Sequence, residues 1–293
     1  MPLPYPASIG TTNDGVLLRG EPLEEKGLGF VRARRGEDTR WGTPKLLGAI
    51  RRAAAAVATT FPGTEPLRVG DLSSPGGGQH ERHRSHRTGR DVDLLFYITD
   101  AGGRSARARG WLAFDRFGAA AETRLPGDRE GDGELFFFDD ARNWHLIRTL
   151  LLDDAAQVQW IFVSAGLKAR LLRYAVTHET SREAIFRASW VLLQPRRASA
   201  HRDHFHVRVF CGEDQQALGC RDRGPIWPWV RRSAEKPAGE PEPLDDAAWV
   251  RALLDDPADP TLVEGESAPS GPLSFSDFRG AACGSKGYTA ARS

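Results

Sequence analysis

Two short segments, far apart in the chain, hold side chains that suit metal chemistry: His86 and Asp93 in the first, His201, His204 and His206 in the second. Neutral imidazoles and a carboxylate are donors that zinc takes, and a catalytic site needs three of them with one position left for water. Six of the eight histidines fall in the spans 80–86 and 201–206, a clustering that random placement rarely gives. The constellation reads as a catalytic zinc site. His83, His86, Asp93, His204 and His206 are too many for one such site, so some must do other work.

Strands must present these side chains. Behind Gly89, which marks a turn, the apolar run from Val92 through Leu94, Leu95, Phe96 and Tyr97 to Ile98 reads as a buried strand. Side chains alternate along a strand, so Asp91 and Asp93 share one face while Val92 and Leu94 anchor the other. The segment 201–210 alternates in the same way, with His204, His206 and Arg208 against Phe205, Val207 and Val209. Adjacent same-face positions lie about 6.6 Å apart along the strand. Either both imidazoles reach one metal, or one ligates while its neighbour meets substrate; spacing leaves this open. Asp91 reads as a hydrogen-bond acceptor at the strand entry rather than a ligand.

Apolar periodicity predicts helices over 44–61, 142–152, 167–175 and 182–193, and further strands over 67–72 and 158–164. Helices interspersed with few strands imply an α+β fold, in which a small antiparallel sheet carries the metal on one face and helices flank it. The Gly-, Arg- and Ala-rich stretch 101–129 reads as an insertion or substrate loop. His145 and His178 lie in helical segments without partners and read as ordinary hydrogen-bonded residues; His80 reads as a loop residue. From about residue 233 the chain turns to Ala, Pro, Glu, Asp and Gly, which bury little apolar area. The expected organisation is a domain over 1–232 and a poorly structured tail over 233–293, with a short docking helix over 245–254.

The 293 residues carry a net charge of +1, which exerts no global pull towards nucleic acid or an anionic membrane. The apolar runs are far shorter than the ~20 residues that span a bilayer. No transmembrane helix is expected. The opening Met1-Pro2-Leu3-Pro4-Tyr5-Pro6 lacks the basic start and apolar run of a signal peptide. The chain has no H-E-x-x-H, no G-x-S-x-G and no phosphate-loop signature. Gly76-Gly77-Gly78 lacks the Lys and Ser/Thr that would follow in a phosphate cradle, and reads as a mobile loop. Arg82, Arg84, Arg87 and Arg90 interleave with the first histidines as a basic patch. Such a patch suits nucleic acid or a carboxylate-rich peptide equally well.

The segment His83-Arg84-Ser85-His86-Arg87-Thr88-Gly89-Arg90-Asp91-Val92-Asp93 resembles the H-x-S-H-x-x-G-x-D-V-D motif of the penicillin-insensitive murein endopeptidases. His201-Arg202-Asp203-His204-Phe205-His206-Val207-Arg208 is similar to their H-x-x-H-x-H-V-R. That family belongs to a zinc peptidase group with D-Ala-D-Ala dipeptidases, lysostaphin-like enzymes and the hedgehog domain. Weaker likeness runs from Ser8-Ile9-Gly10 through Leu67-Arg68-Val69-Gly70-Asp71 and Ile161-Phe162-Val163 to Cys211 and Cys220, about three quarters of the chain.

The resemblance implies that His86, Asp93 and His206 ligate Zn2+, with His83 as a further metal ligand. His204 would then be a catalytic group beside the metal, and His201 a second acid/base group. The family's accessory metal site needs an Asp and a His downstream, where this chain has Asp132-Gly133-Glu134, so a second zinc is not expected. A disulfide between Cys211 and Cys220 is implied, with Cys283 left over.

The implied activity is hydrolysis of the D,D-peptide cross-links of peptidoglycan stem peptides by a metal-activated water, in the periplasm or outside the cell. His204 and His201, with ordinary pKa values near 6.5, would move the protons. Two other readings are a D-alanyl-D-alanine carboxypeptidase or dipeptidase of the same group, and a zinc-dependent binding module without catalysis.

Overall fold

The strand Asp91–Leu95 lies in the middle of a seven-stranded sheet. The computed structural model describes residues 6–122, 133–195 and 198–230. Across the sheet the order is Leu192–Leu193, Val158–Phe162, His204–Val209, Asp91–Leu95, Leu67–Val69, Phe30–Arg32 and Lys26–Gly27. The two strands that hold the histidines and aspartates pair antiparallel, with His206 opposite Asp93, Arg208 opposite Asp91 and His204 opposite Leu95. Parallel pairing occurs twice, between Phe30–Arg32 and Leu67–Val69 and between Val158–Phe162 and Leu192–Leu193.

The alternation read from the sequence holds. Val92, Leu94, Phe205, Val207 and Val209 join one buried apolar cluster with Leu46, Ile50, Leu146, Ile147 and Leu150 of the helices. Burial of that face anchors both strands, so the opposite face can carry polar groups at fixed positions. Thr43 caps the helix Pro44–Thr60, its hydroxyl accepting from the Leu46 amide at 3.4 Å, with Pro44 in the first turn where its missing N–H costs nothing. Asp139 caps the helix Asp140–Leu152 through the Arg142 amide at 3.1 Å, which moves its start two residues ahead of the apolar pattern. Ala165–His178 and Arg182–Val191 complete the longer helices. The fold is α+β.

Two predicted elements end early for identifiable reasons. The strand expected over 92–98 stops at Leu95 because Asn143 intercepts the next backbone groups: its Oδ1 accepts from the Tyr97 amide at 3.0 Å and its Nδ2 donates to the Tyr97 carbonyl at 2.8 Å. Ile98–Thr99 then turns into a separate four-stranded sheet with Ser105–Ala106, Leu135–Phe138 and Ala119–Ala121. The presumed insertion therefore contributes two short strands to a sheet. The helix expected over 182–193 stops at Val191, since Leu192 and Leu193 pair with Ile161 and Phe162.

Cys211 and Cys220 form the expected disulfide just beyond the His204–Val209 strand. The glycine loop 76–78 is tied rather than loose: the Leu17 amide donates to the Gly76 carbonyl and the Gly78 amide to the Arg87 carbonyl. Among the described residues no helix is long and apolar enough to cross a membrane. The expected tail, its short helix and Cys283 lie outside the described residues.

Candidate metal centre

His86 sits on a turn with a left-handed backbone, φ 64°, a conformation that costs a residue with a Cβ about 1 kcal/mol or more. Asp91 holds it there, Oδ2 accepting from the His86 amide at 3.2 Å. Gly89, also left-handed at φ 71°, brings the chain back to the strand; a Cβ there would lie 2.8 Å from the Leu17 side chain and 3.1 Å from the Thr43 amide. The turn points the fully buried His86 ring at the sheet face where Asp93 and His206 emerge.

Three donor atoms meet there. His86 Nε2 lies 3.2 Å from His206 Nδ1 and 3.3 Å from Asp93 Oδ1, and His206 Nδ1 lies 3.1 Å from the same oxygen. Ligands at the usual zinc distances subtend edges of about 3.3 Å in a tetrahedron, so this triangle has the size of one tetrahedral face. Asp93 is fully buried, yet neither of its oxygens receives a well-angled hydrogen bond. A buried carboxylate ringed by nitrogens that do not bond it is arranged for a cation, because leaving such a group unsatisfied costs several kcal/mol, of order 1–3 or more. The donors fit a zinc-sized ion.

Burial and charge act against each other on all three donors. Burial holds the His86 imidazole below its ordinary range, with the Asp93 carboxylate pulling the other way. Burial alone would raise Asp93, but the neighbouring imidazoles of His86, His204 and His206 hold it well below the usual carboxylate range. His206 is disfavoured as a cation by burial, yet the carboxylates of Asp91 and Asp93 push it up to about 9.

Asp91 works behind the triangle. Its Oδ1 lies 3.2 Å from His206 Nε2 and accepts from Arg208 Nε at 2.7 Å. With Nε2 donating to Asp91, the Nδ1 lone pair of His206 faces inward. A carboxylate–histidine pair behind a metal site has this form.

His204 stands at the edge, Nε2 3.5 Å from Asp93 Oδ1 and Nδ1 donating to Asp203 Oδ1 at 2.7 Å. His201 lies behind it with ring centroids 5.3 Å apart. Burial and the charges of His206 and His204 push His201 down to about 4, so it is neutral near pH 7, below the range expected of an acid/base group. His83 lies on the far side, Nε2 3.3 Å from Asp93 Oδ2 and 3.1 Å from Asp71 Oδ2. All six predicted site residues therefore converge.

Three residues of the neighbourhood escaped the sequence reading. His80 is on a loop, as expected, but buried against the His83 and His86 rings, with centroids 4.8 Å and 5.6 Å away. Burial and those rings push it down to about 4. Asp71, His80 and His83 group closely enough to hold an ion. However, Asp71 is already matched by Arg82, which donates from Nε at 2.9 Å and Nη2 at 2.8 Å, and by Thr39 at 2.7 Å. The third is Trp111, edge-on to His204 with centroids 5.2 Å apart. Nothing in the Gly- and Arg-rich stretch around it marks it; Asp71 did have a signal, since it closes the stretch Leu67-Arg68-Val69-Gly70-Asp71 in which the weaker family likeness lies.

The arginine patch is smaller than the sequence implies. Arg90 is buried and bonded to Asp222 at 2.7 Å and Ser8 at 3.1 Å, and Arg82 is engaged with Asp71. His145 and His178 bond elsewhere, His145 to Thr60 at 3.2 Å and His178 to the Tyr174 carbonyl at 2.9 Å.

A sequence model of the penicillin-insensitive murein endopeptidases matches residues 8–229. The protein of that name from Pectobacterium atrosepticum is 30% identical over 227 residues, covering 74% of this chain and 69% of the relative. The one from Haemophilus influenzae is 26% identical over 225 residues, covering 74% and 68%. The one from Escherichia coli is 27% identical over 224 residues, covering 76% and 72%. The match spans both histidine segments, the buried Asp93 and the disulfide, and the chain belongs to the penicillin-insensitive murein endopeptidase family.

Proposed function

We propose that the chain is a zinc-dependent D,D-endopeptidase that cuts the peptide cross-links of peptidoglycan, working in the periplasm or outside the cell. Residues 1–232 are its catalytic domain and 233–293 a linker and tail. The observation that carries the reading is the triangle of His86 Nε2, His206 Nδ1 and Asp93 Oδ1, with edges of 3.1–3.3 Å. These three residues are the zinc ligands. His83, which faces the other oxygen of Asp93, is an auxiliary donor. Relatives named murein endopeptidases support the substrate class.

Zinc in that position supplies a Lewis acid for the scissile carbonyl and a water acidified enough to attack at neutral pH. The remaining work belongs to the chain. His204 keeps its Nδ1–H on Asp203, so the Nε2 lone pair faces the site and takes the proton of the attacking water. The same nitrogen returns that proton to the leaving amine. His201, neutral beside it, donates to the oxygen on which charge develops. No covalent intermediate is needed, which accounts for indifference to β-lactams, since these acylate serine nucleophiles.

Digestion of purified cross-linked muropeptide dimers, followed by mass analysis, tests the assignment. Monomers released at the D,D cross-link are expected. Loss of terminal D-alanine alone would make the chain a carboxypeptidase. Dimers bound in a zinc-dependent way but left whole would make it a binding module.

A further inference from the structure

Trp111 is held against His204 by its surroundings on every side. Its loop is anchored by Arg68, whose Nη1 donates to the carbonyls of Ala108 at 3.1 Å and Gly110 at 2.8 Å. On the other side the Phe114 amide donates to the Arg202 carbonyl at 2.8 Å, tying the loop to the segment that leads into His204. Leu112 and Phe114 are buried in the core, whereas Trp111 just before them is half-buried and turned to the site. The Arg34 guanidinium lies over the indole at 5.3 Å, and Arg34 itself pairs with Asp71 at 3.4 Å.

Gly70 makes room for this arrangement. A Cβ at that position would lie 2.7 Å and 3.0 Å from two indole carbons and 3.2 Å from the Asp93 Cβ, so the ring would have to move and Asp93 to give slightly. The indole then meets the His204 ring edge to face, at 5.2 Å and 76°. With Asp203 fixing Nδ1, the two contacts leave His204 one orientation, Nε2 towards Asp93.

We infer that Trp111 is a positioning residue for His204, and that Gly70 is a glycine because a side chain there would displace the indole. This rests on the role assigned to His204 above. A base displaced by about 1 Å loses on the order of 100-fold in rate, so Trp111→Ala should lower kcat by about 10-fold or more with little change in KM. Trp111→Phe, which keeps a ring edge at His204, should recover part of the loss. Gly70→Ala should lower kcat at least as far, because the added methyl presses on the indole and also on the Asp93 side chain. Zinc affinity should stay near the wild-type level in Trp111→Ala, since the ring contacts of the indole are with His204 and Arg34 rather than with the ligand imidazoles.

The test pairs this kinetic series on cross-linked dimers with the His204 ring resonances in the metal-free protein, where an indole edge-on at 5.2 Å shifts the ring signals. Equal movement of those resonances in Trp111→Ala and Gly70→Ala, with the kcat pattern above, supports the inference. Unmoved resonances, or Trp111→Ala turning over at the wild-type kcat, overturns it. If the wild type leaves dimers uncut, the endopeptidase reading falls and the resonances alone decide the contact.

Discussion

His206 and Asp91 sit on neighbouring antiparallel strands, two residues out of register, with the imidazole Nε2 3.2 Å from the carboxylate Oδ1. The offset lets one ring face two carboxylates: Asp91 behind it and Asp93 in front, 3.1 Å from Nδ1. A strand that alternates Asp-Val-Asp is required for this, because only alternate residues share a face.

Removing the charge behind His206 should therefore weaken metal binding without unfolding the chain. Asp91→Asn is expected to lower zinc affinity about 10–100-fold, read by competition with a fluorescent chelator. Unchanged affinity would mean that Asp91 serves only Arg208 and the His86 amide.

Zinc should stabilise the fold through Asp93. At a free concentration of 100 times its Kd, zinc should add about 2.7 kcal/mol, seen as a rise in Tm. Asp93→Ala and His206→Ala should each abolish that rise. A Tm that responds to zinc equally in Asp93→Ala would locate the stabilising ion elsewhere.

The disulfide closes a loop with a sequence separation of 9. Cross-linking so short a loop stabilises by about 2–3 kcal/mol, and Cys211→Ser with Cys220→Ser should lose that amount in urea unfolding. Reductant should lower the wild-type midpoint to the same value.

Glu179 supplies a pH dependence remote from the metal. It accepts from Trp144 Nε1 at 3.0 Å and the Ser181 amide at 2.7 Å, and pairs with Arg148 at 2.8 Å. Burial pushes its carboxyl up, but these partners outweigh burial and hold it below 4.5. A depressed carboxylate adds stability above its unfolded pKa that is lost as pH falls through the folded value. Glu179→Gln should cost about 1–3 kcal/mol near pH 7 and progressively less below pH 4.5, measured by urea midpoints across that range.

Much of the site was legible because strand alternation couples chemistry to packing. Phe205, Val207 and Val209 had to face the core, so His204 and His206 had to face away together, and the same logic fixed Asp91 and Asp93. Helix existence was legible too, whereas ends were decided by single side chains: Asp139 as a cap, Asn143 intercepting Tyr97. What periodicity could not convey were contacts made by residues without a repeating pattern. Trp111 reaches His204 only because Gly70 and Arg34, distant in sequence, shape its niche. His80 is buried against the His83 and His86 rings by the path of its loop, which has no repeating pattern to announce it.

The most direct test of the account is to strip the protein with a chelator, add zinc back in steps, and follow hydrolysis of cross-linked muropeptide dimers against zinc bound per chain. Hydrolysis should be absent in the stripped protein and rise linearly to a break at one zinc per chain, with no such rise in His206→Ala. Full activity in the stripped protein, or in His206→Ala, would contradict it.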